Sequence, residues 1–307
     1  MSRLLFGLVT ACAVLAGLAA TGASGSTTAA RPTPAFPVTV TAGNGKVTVS
    51  RAPRRIVSLS ATATESLFAI GAGSQVVAAD DQSDYPKSAP KTTLSGFTPN
   101  VEAIVAYRPD LVIASYDPKG LVDSLGRLGI PVLVHNAAAT LPGAYQQIRQ
   151  LGLVTGKRAG SEKVVARMKN GIARIVASTK GKARGLSVYH ELTPDLYSAT
   201  SSTFIGRAYA LLGLRNIADA ADSAGSGYPQ LSPEYVVSSS PDLIVLADSI
   251  CCGQKASTVA ARPGWGTVSA VRTGSIVRID DSIASRWGPR LVDFFRAVSS
   301  AVARLKA

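Results

Sequence analysis

"NVEAIVAYRPDLVIA" (residues 100–114) and "SPEYVVSSSPDLIVLA" (232–247) share one layout. Glu102 precedes Pro109 by seven residues, and Glu234 precedes Pro241 by seven. In each stretch a glutamate and valines at helical spacing lead into Pro-Asp-Leu, and an apolar run of strand length follows. A shorter echo links "SLFAIGAGSQVV" (66–77) to "RAYALLGLRNIA" (207–218). A tripeptide recurs easily by chance. The glutamate, the helix and the strand recur in register with it, so the chain reads as two related α/β lobes.

The runs around the first copy support this class. "RIVSLS", "QVVAAD", "DLVIAS" and "IPVLVHN" are nearly continuous apolar runs ending in polar turns. Such runs suit strands buried on both faces of a parallel sheet. Between them, residues 65–70, 101–107 and 121–128 have helical spacing. Ahead of them, "VTVTAGNGKVTVS" alternates apolar and polar residues about Asn44-Gly45, which predicts a tight hairpin. From Ser161 to Ser178, apolar residues at Val164, Val165, Met168, Ile172, Ile175 and Val176 form one helical stripe. Ser161 is expected to cap this helix and Gly181 to end it. Its roughly 27 Å suits either a covering helix or a strut between lobes. The predicted organisation is an N-terminal α/β lobe over 37–152, a backbone helix within 153–183 and a C-terminal α/β lobe over 184–307.

The start of the chain reads as an export signal. An apolar stretch from Leu4 to Ala20 follows Arg3, giving a predicted signal peptide over 1–23 and a Pro-bearing flexible linker over 24–36. Cys12 lies inside the apolar stretch, whereas a lipidated cysteine should follow it. Ordinary secretion is therefore expected over a lipid anchor. No later apolar run approaches the roughly 20 residues of a membrane span, so a soluble mature chain is expected. The formal net charge of +13 suits an anionic neighbour or simple solubility. Its basic residues are scattered and carry no nucleic-acid-binding motif. G-x-S-x-G, H-E-x-x-H, phosphate-loop and C-x-x-C patterns are absent, which argues against an enzyme. "GAGSQV" precedes a strand instead of following one, so it is no dinucleotide fingerprint.

Cys251 and Cys252 stand side by side in "LADSICCGQK". Aligning the two Pro-Asp-Leu strands sets them beside Lys119-Gly120, in the loop after the strand's carboxyl end, where open α/β sheets bind ligands. Exported paired thiols normally oxidise. A vicinal disulfide eased by Gly253, forming a stiff knuckle against a ligand, is the expectation. The alternative from another class is a secreted thiol-disulfide enzyme or a haem- or metal-storing protein. His135 and His190 each end a strand, and a satisfied structural histidine is the stronger reading of each alone. A bare metal wants three or four ligands, and the spacing here offers no compact metal motif.

Taken in order, "RAPRRIVSLSATATESLFAIGAG", "DDQSDYP", "NVEAIVAYRPDLVIAS", "TSSTFIGRAYALLGLRNIAD", "LSPEYVVSSSPDLIVLAD" and "SRWGPRLVDFF" resemble the substrate-binding proteins of ABC importers for iron-siderophore complexes and vitamin B12. The resemblance implies two Rossmann-like lobes joined by one long helix, with the ligand in the cleft between them. It implies a monomer without catalysis whose partner is an ABC permease dimer with its ATPase. It also implies no cofactor beyond the cargo, a metal chelate of corrinoid or ferric-siderophore type. The family's permease-docking glutamates correspond to Glu102 and Glu234. Gln82 stands where the B12 binders carry an aromatic ring, and "SGFTPN" offers Phe97 where they carry Trp. Tyr116 lies in the loop after the first Pro-Asp strand. Arg286 falls where the family often contacts ligand, and its forked donors suit carboxylate, phosphate or hydroxamate; a structural salt bridge is the other reading. Trp287 beside it is assigned to the cleft and Trp265 to the lobe interior. His190, Glu191, Cys251 and Cys252 complete the expected ligand set.

Overall fold

The computed structural model describes residues 36–306. The signal segment, Cys12 and nearly all of the linker lie outside them. The first lobe begins with a hairpin, β1 (Val38–Ala42) and β2 (Gly45–Val49), and continues with β3 (Ile56–Leu59), α1 (Ala61–Ala69), β4 (Val76–Ala79), α2 (Val101–Ala106), β5 (Leu111–Ala114), α3 (Leu121–Gly126) and β6 (Val132–Val134). Two helices follow, α4 (Leu141–Val154) and α5 (Arg158–Ala183). The second lobe is β7 (Ser187–Glu191), α6 (Phe204–Leu212), β8 (Arg215–Asn216), α7 (Pro233–Ser239), β9 (Leu243–Leu246), α8 (Ala256–Ala260), α9 (Ser269–Arg272), β10 (Ile276–Arg278), α10 (Asp281–Ser285) and α11 (Leu291–Leu305).

The sheets run β4-β3-β5-β6 and β8-β7-β9-β10, each wholly parallel. The second lobe therefore repeats the strand order of the first. Every residue of β3, β5, β6, β7 and β9 is buried, as continuous apolar runs in a sheet covered on both faces require.

The aspartate of Pro-Asp-Leu ties each sheet together. Asp110 accepts hydrogen bonds from the backbone N–H groups of Arg54 (2.8 Å) and Arg55 (2.9 Å) at the start of β3. Asp242 accepts from the Ser187 N–H (2.8 Å) and hydroxyl (2.9 Å) at the start of β7. The Asp110–Arg55 and Asp242–Ser187 contacts both span 55 residues. Just ahead of each Pro-Asp pair the backbone turns into positive φ, at Arg108 (48°) and Ser240 (39°). Proline cannot continue the preceding helix, so each copy stops a short helix and redirects the chain into the central strand.

Two sequence expectations shift in detail. The hairpin turns on Gly43-Asn44, with Ala42 paired to Gly45, and not on Asn44-Gly45. The Asn44 side chain is committed elsewhere: it donates to the Val132 carbonyl (2.9 Å) and accepts from the Val134 N–H (3.1 Å), fastening the hairpin to β6. Ser161 does not cap the long helix and Gly181 does not end it. Helix α5 has 26 residues and a length of about 39 Å. Its first turn starts before Ser161, whose hydroxyl bonds back to the Arg158 carbonyl (2.8 Å).

The apolar stripe of α5 lies where its spacing put it. Val164, Val165, Met168 and Ile172 are buried in a core shared with Leu151 of α4 and Phe294, Phe295 and Val298 of α11, with Ile175 and Val176 packed at its margin. Through this face α5 contacts α1 and α4 of the first half and α6 and α11 of the second. Its seat on α1 is close. A Cβ at Gly160 would fall 2.1 Å from the Ile70 carbonyl oxygen. Alanine ordinarily favours a helix over glycine by about 1 kcal/mol, whereas forced overpacking costs typically 1–3 kcal/mol, and here the obstacle is backbone. With the cost at the upper end of that range, Gly160→Ala is expected to destabilise by about 2 kcal/mol net in urea unfolding. An unchanged or raised midpoint would contradict this seat.

Candidate functional site

Large hydrophobic side chains left in solvent are concentrated at one kind of place. Tyr85, Phe97 and Tyr116 in the first lobe and Tyr197, Tyr228 and Ile250 in the second are exposed, and each lies in a segment after a strand's carboxyl end. Among the described residues only Leu128 and Leu211 are comparable elsewhere. Phe97 is 65 % exposed. Its ring centroid lies 6.3 Å from that of Tyr116, whose hydroxyl donates to the Phe97 carbonyl (3.0 Å). The bond fixes two aromatic faces on neighbouring loops. Gln82 is exposed on the adjacent β4 loop. Tyr197 and Tyr228 were not singled out from sequence; the signal was a tyrosine beside a turn after an apolar run, which is weak in isolation.

Arg286, one of the predicted ligand contacts, is engaged between the lobes. Its Nη1 lies 2.6 Å from Asp84 Oδ1, and its Nη2 donates to the Gln82 carbonyl (2.8 Å). The Ser282 hydroxyl reaches the same Asp84 (3.0 Å). The salt-bridge reading of Arg286 is the one this structure shows, and the Asp84 pKa is lowered from its ordinary value: desolvation opposes, but the Arg286 hydrogen bond and charge outweigh it. Trp287 is half-buried and donates from Nε1 to Gln147 Oε1 (2.7 Å), a second crossing between the lobes. Deeper in the seam, Glu65 accepts from the Arg290 N–H (3.0 Å) and Nε (2.9 Å). Burial raises the Glu65 pKa more than the Arg290 charge and hydrogen bonds lower it.

Two members of the expected ligand set are corrected. His190 and Glu191 have no exposed surface. Strand β7 carries them inside the lobe, and successive side chains on a strand point to opposite faces. His190 Nδ1 lies 2.7 Å from the Tyr209 hydroxyl, and burial lowers its pKa to about 3. Glu191 is held by both terminal nitrogens of Arg262, each at 2.6 Å. Neither side chain can touch a ligand in the cleft. His135 is likewise internal: it pairs with Gln150 (2.9 Å), which donates onward to the Thr41 carbonyl (2.6 Å). Burial lowers its pKa to about 4 against the opposing effect of the Gln150 bond. Trp265 is buried under the Arg262 guanidinium, 4.6 Å from its ring centroid. Among the described residues no group of three or more His, Cys, Asp or Glu is arranged to hold a metal ion.

Cys251 and Cys252 occupy the loop after β9, as the alignment with Lys119-Gly120 placed them, and both are exposed free thiols. The vicinal disulfide expected from sequence is not formed in this structure. The loop closes through its backbone: Ile250 N–H (3.0 Å) and Cys251 N–H (2.7 Å) donate to Asp281, and Cys252 N–H donates to the Asp248 carbonyl (3.3 Å). Gly253 supplies the positive φ of 68° that the turn needs. Desolvation, then hydrogen bonds with Cys252 and Asp281, push the Cys251 thiol up to about 12. A thiol so far above neutrality is the wrong state for nucleophilic or redox work.

Glu102 and Glu234 occupy equivalent places. Each is exposed in the first turn of a short helix, α2 capped by Asn100 and α7 capped by Ser232. Negative charge is favourable at a helix N-terminus, so the local fold tolerates a carboxylate free of salt bridges at both points.

Asp248, not anticipated from sequence, lies beside the Glu191–Arg262 pair. It is fully buried and neither carboxyl oxygen has a hydrogen-bond partner among the described residues. Desolvation first, and the Glu191 charge second, push its pKa from 3.8 to about 7. The folded protein therefore retains a proton that the unfolded chain releases. Stability attributable to Asp248 is complete below the unfolded value and falls as pH rises through about 7. The two buried histidines act in the opposite sense, only below their ordinary value of 6.5. Asp248→Asn should remove the decline that Asp248 contributes between about pH 4 and 7, so that the difference in melting temperature shifts in the variant's favour as pH rises across that range. Parallel melting curves across that range would refute the assignment.

Comparison with known proteins places this geometry. Residues 56–283 match the family model described as Periplasmic binding protein. The chain is 32 % identical over 296 residues to an uncharacterized ABC transporter substrate-binding lipoprotein, YvrC, of Bacillus subtilis, covering 93 % of this chain and 92 % of that one. It is 32 % identical over 269 residues to a cobalamin-binding protein of Halobacterium salinarum, covering 84 % and 72 %. Among solved structures, the periplasmic heme-binding protein RhuT of Roseiflexus shares the fold, with a TM-score of 0.73 at 24 % identity over 82 % of this chain and 99 % of that one. With two parallel sheets of one order, a long helix bridging them and a matched span that takes in both lobes, the chain belongs to the periplasmic binding protein family.

Proposed function

We propose that this protein is the exported ligand-capturing component of an ABC importer, and that its cargo is a corrinoid-type metal chelate held between the lobes. The observation that carries the reading is the set of exposed aromatic rings on the carboxyl-end loops of both sheets, Phe97 and Tyr116 on one and Tyr197 and Tyr228 on the other. Rings left in water at such loops gain by covering a broad apolar face. A corrinoid presents two such faces, and relatives at 32 % identity include a cobalamin-binding protein. Among the described residues no helix is long and apolar enough to cross a membrane, so delivery falls to a separate permease with its ATPase. Glu102 and Glu234 supply the means: two carboxylates on repeated helices match a dimeric partner with a basic pocket on each subunit. The exposed Cys251-Cys252 loop and Gln82 complete the rim around the cargo.

The cargo is tested by titrating the protein with cyanocobalamin, cobinamide, haem and ferric siderophores, following intrinsic fluorescence. Cyanocobalamin or cobinamide should bind most tightly. Phe97→Ala should weaken that binding about tenfold, since one stacking ring lost is worth about 1.4 kcal/mol. Preference for haem or a siderophore would overturn the corrinoid reading while leaving the capture role intact; binding of none would remove both.

The docking role is tested separately. Glu102→Ala with Glu234→Ala should leave the dissociation constant unchanged within twofold and abolish cargo uptake by cells or by permease-bearing vesicles. Normal uptake by the double variant would exclude these carboxylates as the docking points.

A further inference from the structure

A cavity of about 590 Å³ lies along the seam where α1, α5 and α11 meet. Four arginines line it: Arg167 and Arg174 from α5, and Arg290 and Arg296 at the start of and along α11. Two carboxylates line it as well, and both are taken. Glu65 is bound to Arg290 at 2.9 Å, and Asp293 is paired with Arg296. Arg167 and Arg174 have no carboxylate partner among the described residues; the Arg174 Nε only returns to the Asn170 carbonyl of its own helix (3.2 Å). Seven residues apart, they stand on one face of α5, about 10.5 Å from each other along the axis. Arg290 adds a donor, since its Nη2 finds no acceptor, with the Tyr85 ring 4.2 Å from the guanidinium carbon.

We propose that this cavity binds a phosphate-class anion of two or more charges. Two cationic forks without carboxylates give the cavity a surplus charge that a dianion neutralises. Terminal phosphate oxygens accept from guanidinium N–H groups in pairs, the geometry for which arginine is better suited than lysine. The volume admits a diphosphate or a phosphomonoester with part of its substituent. Glu65 belongs to the first lobe, Arg167 and Arg174 to the bridging helix, and Arg290 and Arg296 to the second lobe, so an anion here meets residues of both lobes and of the helix that joins them. Tyr85 is the one exposed ring the cavity shares with the carboxyl-end loops; Phe97, Tyr116, Tyr197 and Tyr228, the rings assigned to the cargo, do not line it, and its occupant is chemically unlike the cargo.

The test is calorimetric titration of the full chain with inorganic pyrophosphate, together with flotation on phosphatidylcholine vesicles with and without phosphatidic acid. The expected result is one-to-one binding that Arg167→Gln with Arg174→Gln weakens about a hundredfold, each charge-assisted pair contributing about tenfold. The remote pair Arg127→Gln with Arg215→Gln should change it less than twofold. Binding of pyrophosphate without vesicles assigns a soluble phosphate ligand; capture by phosphatidic acid vesicles with the same arginine dependence assigns a lipid headgroup. Failure of both probes, or equal loss in the remote pair, overturns the site. Cyanocobalamin titration of the Arg167/Arg174 variant should match the parent, which separates this result from the proposed cargo.

Discussion

The carboxylate of Glu65 is buried in the first lobe, and among the described residues its hydrogen-bond partners all lie on Arg290, 225 residues further along the chain. A buried ion pair of this kind adds little over an apolar replacement, but losing one partner leaves an uncompensated charge that costs about 3–5 kcal/mol. Its value is therefore geometric. The pair holds only when α1 and the start of α11 sit at one separation and one angle. Asp84 with Arg286, and Gln147 with Trp287, repeat the constraint nearer the rim. Together with the rigid 26-residue helix packed on both halves, they fix the gap that the aromatic loops line. A cleft preset in this way binds with little loss of conformational freedom.

The fold was legible because its determinants are local and repeated. Pro-Asp-Leu combines a helix stop, a side-chain acceptor for the neighbouring strand and the first residue of a buried run, and each function leaves a residue type at a set place. The α5 stripe was legible for the same reason. The site was less so. Arg286 was read toward ligand because a guanidinium near a loop carries no sign of which carboxylate it meets; Asp84 is 202 residues away. His190 and Glu191 were misplaced because strand β7 is buried along its whole length, including its last residue, so ending a strand did not mean reaching the cleft. Glu65 had a signal, a lone carboxylate within the apolar helix "ATATESLFA". Its burial could be suspected from that, although its partner could not be named.

The cysteine loop shows how one aspartate can do what a covalent link was expected to do. Asp281 gathers the N–H groups of Ile250 and Cys251, so the loop has its shape before any sulfur chemistry. Those same bonds outweigh desolvation and lower the carboxylate's pKa from its ordinary value. The shift favours its charged form, and a charged neighbour disfavours a thiolate. The adjoining Asp248, forced toward neutrality by burial, shows the opposite outcome for the same residue type.

The duplicated Pro-Asp unit places Glu102 and Glu234 alike on their lobes, but the loops that follow the two central strands differ, Lys119-Gly120 on one and Cys251-Cys252 on the other. A receptor that reads only those two carboxylates has no means of telling front from back. It would accept the molecule in either of two poses related by a half-turn, and the cargo would arrive facing one way or the other with nearly equal frequency. Transport through such a complex must then be indifferent to which face of the cargo leads, or the gate must wait for the correct pose.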